Sequence, residues 1–182
     1  MAATVLAVHA ARSRPAAGFA KATLERVHLQ VDHGVLGDHH AGSRALRQVH
    51  LVDVARYDLL RAGGVDVGPG HLGENVTTSG VDLLALGPGA LLRLGGSSSS
   101  NVGGSTGGDP ARAGGALLRV TGVRFPRHDD PATDPVGVLL DPDGVPVGRV
   151  GVFAVVLQAG DVAAGDPVVV EHPGDVAPLT PL

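Results

Sequence analysis

Nine short runs rich in Val and Leu, at 4–9, 26–31, 49–52, 75–78, 90–94, 116–123, 136–140, 151–157 and 168–171, limit what this chain can become. Each is bounded by Gly, Pro or Asp, residues that end regular structure for steric reasons. Many short strands at close spacing are the pattern of a curled sheet or barrel, which manages its edges by curving. Only 53–62 carries a helical pattern: Val54, Tyr57, Leu60 and Arg61 fall on neighbouring turns, Asp53 can cap the start and Gly63-Gly64 can stop it. A second helical turn is expected over 82–86, and 160–166 reads as a turn before a last strand opened by Pro167. The expected fold class is therefore mainly β, strand-rich and barrel-like, with one or two short helices.

With 182 residues, 43% hydrophobic but only 2% aromatic, the core must be built from Val, Leu and Ala within one domain spanning 1–182. The segment 95–115 differs in kind, with eight Gly and five Ser and a single bulky apolar residue, Val102. It cannot bury enough surface to offset the entropy of ordering, so a flexible insertion between two strands is expected. Its Gly-Gly-Ser-Thr-Gly-Gly stretch lacks the Gly-Lys-Ser/Thr and the following helix of a phosphate-binding loop.

Several function classes drop out. The net charge is −4 and the 14 basic residues are scattered, so no nucleic-acid partner is expected. No apolar run is long enough to span a bilayer, and the start lacks the basic region of a signal peptide, which makes cytoplasmic the default location. The chain has no Cys, which removes thiolate zinc sites, iron–sulfur clusters, disulfides and thiol nucleophiles.

Asp38-His39-His40 lies between Gly37 and Gly42, in a loop free to hold unusual backbone angles. Asp beside His can fix an imidazole tautomer, form an acid/base pair or supply metal ligands. A turn whose Asp accepts local N–H bonds is the plainer alternative. In Gly73-Glu74-Asn75, Gly allows close approach of backbone to a ligand and Asn offers donors and an acceptor. The Glu charge is costly in a sheet wall unless paired or used, and Arg47 is one structural partner to consider. Thr77 can hydrogen-bond a ligand, whereas Thr78 reads as an ordinary strand residue. Arg47 and Arg124 are candidate anion clamps, because a guanidinium matches phosphate oxygens in pairs. The nine His include His33, His39 and His40, and a second polar cluster at His128-Asp129-Asp130, but no tight ligand motif, so no metal ligand is assigned. Lys21, the only Lys, lies towards the N-terminus and away from the pocket segments, and no Schiff-base motif surrounds it.

Taken in order, Gly37-Asp-His-His-Ala-Gly42, Arg47-Gln-Val49, Pro69-Gly-His-Leu-Gly-Glu-Asn-Val-Thr-Thr78, Val120-Thr-Gly-Val-Arg-Phe-Pro-Arg127 and Gly148 to Asp166 resemble the MOSC domain, the module named after the C-terminal part of molybdenum cofactor sulfurase. The resemblance covers about residues 4–171, is most specific at Gly-Glu-Asn-Val-Thr-Thr, and is nearest to small stand-alone bacterial members. It implies a MOSC-type β fold, a pterin groove holding a molybdenum cofactor, and reduction of N-hydroxylated substrates with electrons from a donor protein. Family-level association also extends to pyridoxal phosphate. By position in the motifs, Glu74, His39 and Arg127 would be catalytic, and Asp38, His40, Arg47, Gly73, Asn75, Thr77 and Arg124 would bind cofactor. The family's cysteine, which carries sulfur or ligates molybdenum, is replaced by Arg127. The alternative is a degenerate, non-catalytic domain that retains the groove as a small-anion or pterin binding module.

Overall fold

The computed structural model describes residues 2–13, 19–42, 46–96, 115–125 and 149–182. Val136–Leu140, the Gly/Ser-rich stretch at 97–114, Arg127 and the 128–130 cluster lie outside the described residues.

Eleven strands are described: β1 (Thr4–Ala10), β2 (Ala22–Leu24), β3 (Arg26–Gln30), β4 (Gly34–Val35), β5 (Val49–Asp53), β6 (Val76–Ser79), β7 (Leu91–Leu94), β8 (Ala116–Arg124), β9 (Gly151–Gln158), β10 (Gly160–Ala163) and β11 (Val168–His172). Among the described residues the other elements are the helix α1 (Val54–Ala62) and one 3-10 turn (Leu83–Ala85). Eight strands form one sheet in the order β11-β7-β8-β9-β5-β6-β1-β2, and β10-β3-β4 form a second. The large sheet curls until β1 meets the residue that precedes β11. There Thr4 and Pro167 form an isolated bridge, with Val5 N donating to Asp166 O at 2.8 Å and Gly165 N to Val5 O at 2.8 Å. The strand-rich, barrel-like expectation thus matches the fold, although this seam is one bridge and not a full ladder. No helix among the described residues is long and apolar enough to cross a membrane.

The pair β5–β6 is parallel, and parallel neighbours need a crossover connection, which α1 supplies. Asp53 caps α1 by accepting from Ala55 N at 3.0 Å, and Asp82 caps the 3-10 turn by accepting from Leu84 N and Ala85 N. Strand β5 is covered on both faces. Val49 and Leu51 enter the main core with Val8, Leu92 and Leu118, while Val52 joins Tyr57, Leu60, Val67, Leu72 and Val150 under the helix. Burying each such Val or Leu is worth about 1.5–3 kcal/mol, so β5 anchors both halves.

One correction and two unread strands concern short elements. Gly160–Ala163, expected as a turn, is β10 and pairs antiparallel with β3 through Gly160↔Leu29 and Val162↔Val27; the turn begins only afterwards. The three-residue β2 and two-residue β4 carry too few apolar residues to show a period.

Candidate functional site

Asn75, immediately before β6, is where three separate segments meet. Its backbone N–H donates to His50 O at 2.8 Å, and its side-chain oxygen accepts from His50 N at 3.2 Å. Its amide nitrogen donates to His9 O at 3.3 Å and to Asp38 Oδ2 at 3.4 Å. Every polar group of the side chain is therefore committed to holding β1, β5 and the 38–42 loop around one point.

Asp38 is the second junction. Its Oδ2 accepts from Ala11 N at 3.0 Å and lies 3.1 Å from Lys21 Nζ, while Oδ1 accepts from His40 N at 2.9 Å. Burial opposes the charged carboxylate, but the His40 hydrogen bonds and the Lys21 charge outweigh it and hold Asp38 well below the usual carboxylate range. Lys21, expected away from the pocket segments, in fact lies in the site. Its backbone N–H donates to Gly70 O at 2.9 Å, which fastens the segment to the loop before β6.

Glu74 is fully buried and faces inward, away from the groove. Its Oε1 accepts from Tyr57 OH, Gly70 N and Thr77 Oγ1, and its Oε2 accepts from Leu72 N at 3.1 Å. Tyr57, the chain's only Tyr, is pushed far above its ordinary pKa, first by burial and then by the Glu74 charge and hydrogen bond. His9 extends the network, with Nε2 3.1 Å from Thr77 Oγ1 and Nδ1 3.2 Å from Thr23 Oγ1. Burial is the main cause that lowers the His9 pKa. The Glu74 hydrogen-bond partners are thus Tyr57, Thr77 and loop amides, and Arg47 is not among them. By folding the 70–74 loop around itself, the carboxylate fixes the backbone at Gly73. There φ is +75° and an added Cβ would sit 2.9 Å from Phe19 Cβ, so only Gly fits.

Above this layer opens a cavity of about 420 Å³, within the range of small-molecule sites. Lys21, Arg47 and Arg124 give it positive charge, and His40, His50, Asn75 and Gly73 line its wall. All three Phe of the chain, Phe19, Phe125 and Phe153, face it. Arg124 stacks over Phe19 at 5.3 Å and Arg47 over Phe153 at 5.4 Å, so each guanidinium is pinned on an aromatic face. His50 lies 5.1 Å from the Phe153 ring, and its Nε2 is buried without a hydrogen-bond partner. Burial, then the charges of Arg124 and Lys21, push the His50 pKa well below its ordinary value, so the ring is neutral.

Of the residues singled out from sequence, His40, Arg47, Gly73, Asn75 and Arg124 line this cavity. Asp38 stands behind them against Lys21 and Asn75, Thr77 is buried in the Glu74 network, and His39 turns back to Ala11, its Nδ1 3.1 Å from Ala11 O. Sequence reasoning missed Lys21, His50 and the three Phe. In a chain so poor in aromatics, Phe125 beside Arg124 and Phe153 in the late strand were the available signal.

The chain is thus a curled mixed sheet with a cationic, Phe-lined groove beside a parallel β–α–β unit. The chain belongs to the MOSC domain family, whose model matches residues 36–169. The fold is similar to that of the YuaD protein from Bacillus subtilis, with 20% identity, a TM-score of 0.66, and 92% of this chain and 94% of that one covered. It is also similar to YiiM from Geobacillus stearothermophilus, with 17% identity, a TM-score of 0.56, and coverage of 92% and 74%. YiiM from Escherichia coli gives 18% identity, a TM-score of 0.58, and coverage of 99% and 73%. No curated protein matches the chain.

Proposed function

We propose that the groove binds the phosphorylated pterin of a molybdenum cofactor, the group with which the MOSC family is associated. The observation that carries this reading is the convergence of three cationic side chains and all three Phe on one cavity. A pterin is flat and aromatic, which suits Phe faces, and its phosphate suits guanidinium forks held rigid by stacking. The neutral His50, with an unpartnered Nε2, adds a polar contact for a heterocycle edge. When bound, such a cofactor supplies two-electron oxygen-transfer chemistry. This chain's residues bind and orient: Arg47 and Arg124 hold the anion, Gly73 lets it approach the backbone, and Glu74 acts as a positioning residue beneath.

The donor set fits the pterin and phosphate, and it does not fit a protein thiolate on molybdenum, because the chain has no Cys. Reduction of N-hydroxylated substrates, with an electron-donor protein, remains the activity that family membership suggests. The missing thiolate specifically favours the second reading, a pterin or small-anion binding module without turnover. The deciding experiment measures pterin, as its fluorescent oxidation product, and molybdenum per chain after purification from a cofactor-producing host. Pterin that falls on Arg47→Ala, accompanied by less than equimolar molybdenum, is expected. A wild-type protein without pterin from a cofactor-overproducing host sinks the proposal.

A further inference from the structure

We infer that Asp38, His39 and His40 form a binding site for a divalent transition-metal cation of the zinc class at the edge of the groove. Two imidazoles and a carboxylate form a donor set suited to such an ion. Each of the three offers one ligand atom, and these atoms all lie within 4.8 Å of one another. Zinc bonds of ordinary length would draw them to roughly 3.4 Å, which needs side-chain adjustment in a turn and no change of fold.

The second observation concerns His39. Its Nδ1 is 3.1 Å from Ala11 O, and a carbonyl can only accept, so Nδ1 carries the proton. In the neutral ring that leaves the lone pair on Nε2, and Nε2 is buried with no hydrogen-bond partner. A His oriented by a backbone carbonyl, with its other nitrogen presented unbonded, is the usual arrangement of a metal ligand. The turn supplies the rest. Ala41 N donates to Asp38 O at 3.0 Å, closing the turn, and the His39 and His40 ring centroids lie 3.6 Å apart, so both imidazoles share one side. His40 Nδ1 lies 3.5 Å from Asp38 Oδ1, on the carboxylate oxygen opposite the one that faces Lys21. A cation at Oδ1 therefore leaves the Lys21–Asp38 pair in place. With three protein ligands the site retains an open position, as catalytic zinc sites do and closed structural sites do not.

The test needs no cofactor, so its outcome is separate from that of the pterin reading. Chelator-stripped full-length protein is titrated with Zn²⁺ by calorimetry, and with Co²⁺ for its ligand-field spectrum. Saturable binding of a single ion per chain is expected, weakened at least about tenfold by His39→Gln and by His40→Gln, since removing even an outer-shell partner has that effect. His172→Gln, on the exposed β11, should leave it unchanged. No saturable binding, or undiminished binding in folded His39→Gln, overturns the site. Should the variants unfold, zinc X-ray absorption of the wild-type protein decides: two imidazoles in the first shell support the site, and their absence overturns it.

Discussion

Lys21 Nζ lies 3.1 Å from Asp38 Oδ2, and each side chain is only 2% exposed. A buried ion pair of this kind adds little over an apolar pair, but breaking it strands a charge. Ala11 N, His40 N and Asn75 Nδ2 would still serve Asp38, which limits the damage. Lys21→Met should cost about 3 kcal/mol in urea unfolding, at the low end for such losses. A cost within about 0.5 kcal/mol, the size of an ordinary surface change, would show that the pair does not hold the loop.

Asp38 also sets a pH response. Its folded pKa is depressed, so its contribution is fully present above the unfolded value of about 3.9 and is lost as pH falls from there towards the folded value. Urea midpoints between pH 7 and 3 should fall more steeply in the wild type than in Asp38→Asn, which cannot take up the proton. Parallel curves would assign acid sensitivity to other carboxylates.

Tyr57→Phe removes one donor from the buried Glu74 carboxylate. The expected loss is about 1–3 kcal/mol, the penalty for weakening a buried charged hydrogen bond. Because the chain has one Tyr, tyrosinate absorption reads this site alone. With its pKa raised by burial and by Glu74, Tyr57 should ionise only when alkali unfolds the protein. Ionisation of the folded protein near the ordinary phenol value would contradict this environment.

Arg47 is pinned on Phe153 and faces the cavity. Arg47→Ala should weaken binding of a phosphorylated pterin by roughly 1.5–3 kcal/mol, and binding of the dephosphorylated form much less. Equal losses for both ligands would assign Arg47 to stacking instead of phosphate.

The sequence resemblance puts Arg127 where the family carries cysteine, and a protonated guanidinium has no lone pair for a metal. Arg127→Cys should raise molybdenum per chain above the substoichiometric level expected of the wild type. No gain, measured by mass spectrometry with pterin content unchanged, would show that the missing thiolate is not what limits metal retention.

The long Val- and Leu-rich strands were legible because their apolar content and Gly or Pro boundaries agree with their burial. Strand β10 was hidden because Gly160 and Asp161 carry turn chemistry, and only pairing with β3 makes them a strand. At the site, the residue type alone says that the charge of Glu74 is too costly in a sheet wall unless paired or used, and the structure pairs it. Its real partners, Tyr57 and the 70–72 amides, follow from how the loop folds, which residue types alone do not reveal. Lys21 was invisible for a similar reason. One backbone hydrogen bond to Gly70 carries it across about fifty residues of sequence into the groove.

Leu94 and Ala116 are register partners in the antiparallel pair β7–β8, so whatever joins them leaves and re-enters the sheet at a single point. Lengthening a loop between fixed ends costs only logarithmically in closure entropy. The junction between these strands is therefore a natural port: a reporter domain, an affinity peptide or a shortened linker can be placed there, at the end of β8 opposite Arg124, while the groove, lined by Arg124, Phe153 of β9, His50 of β5 and the loops carrying Lys21, Arg47 and Gly73, keeps its geometry.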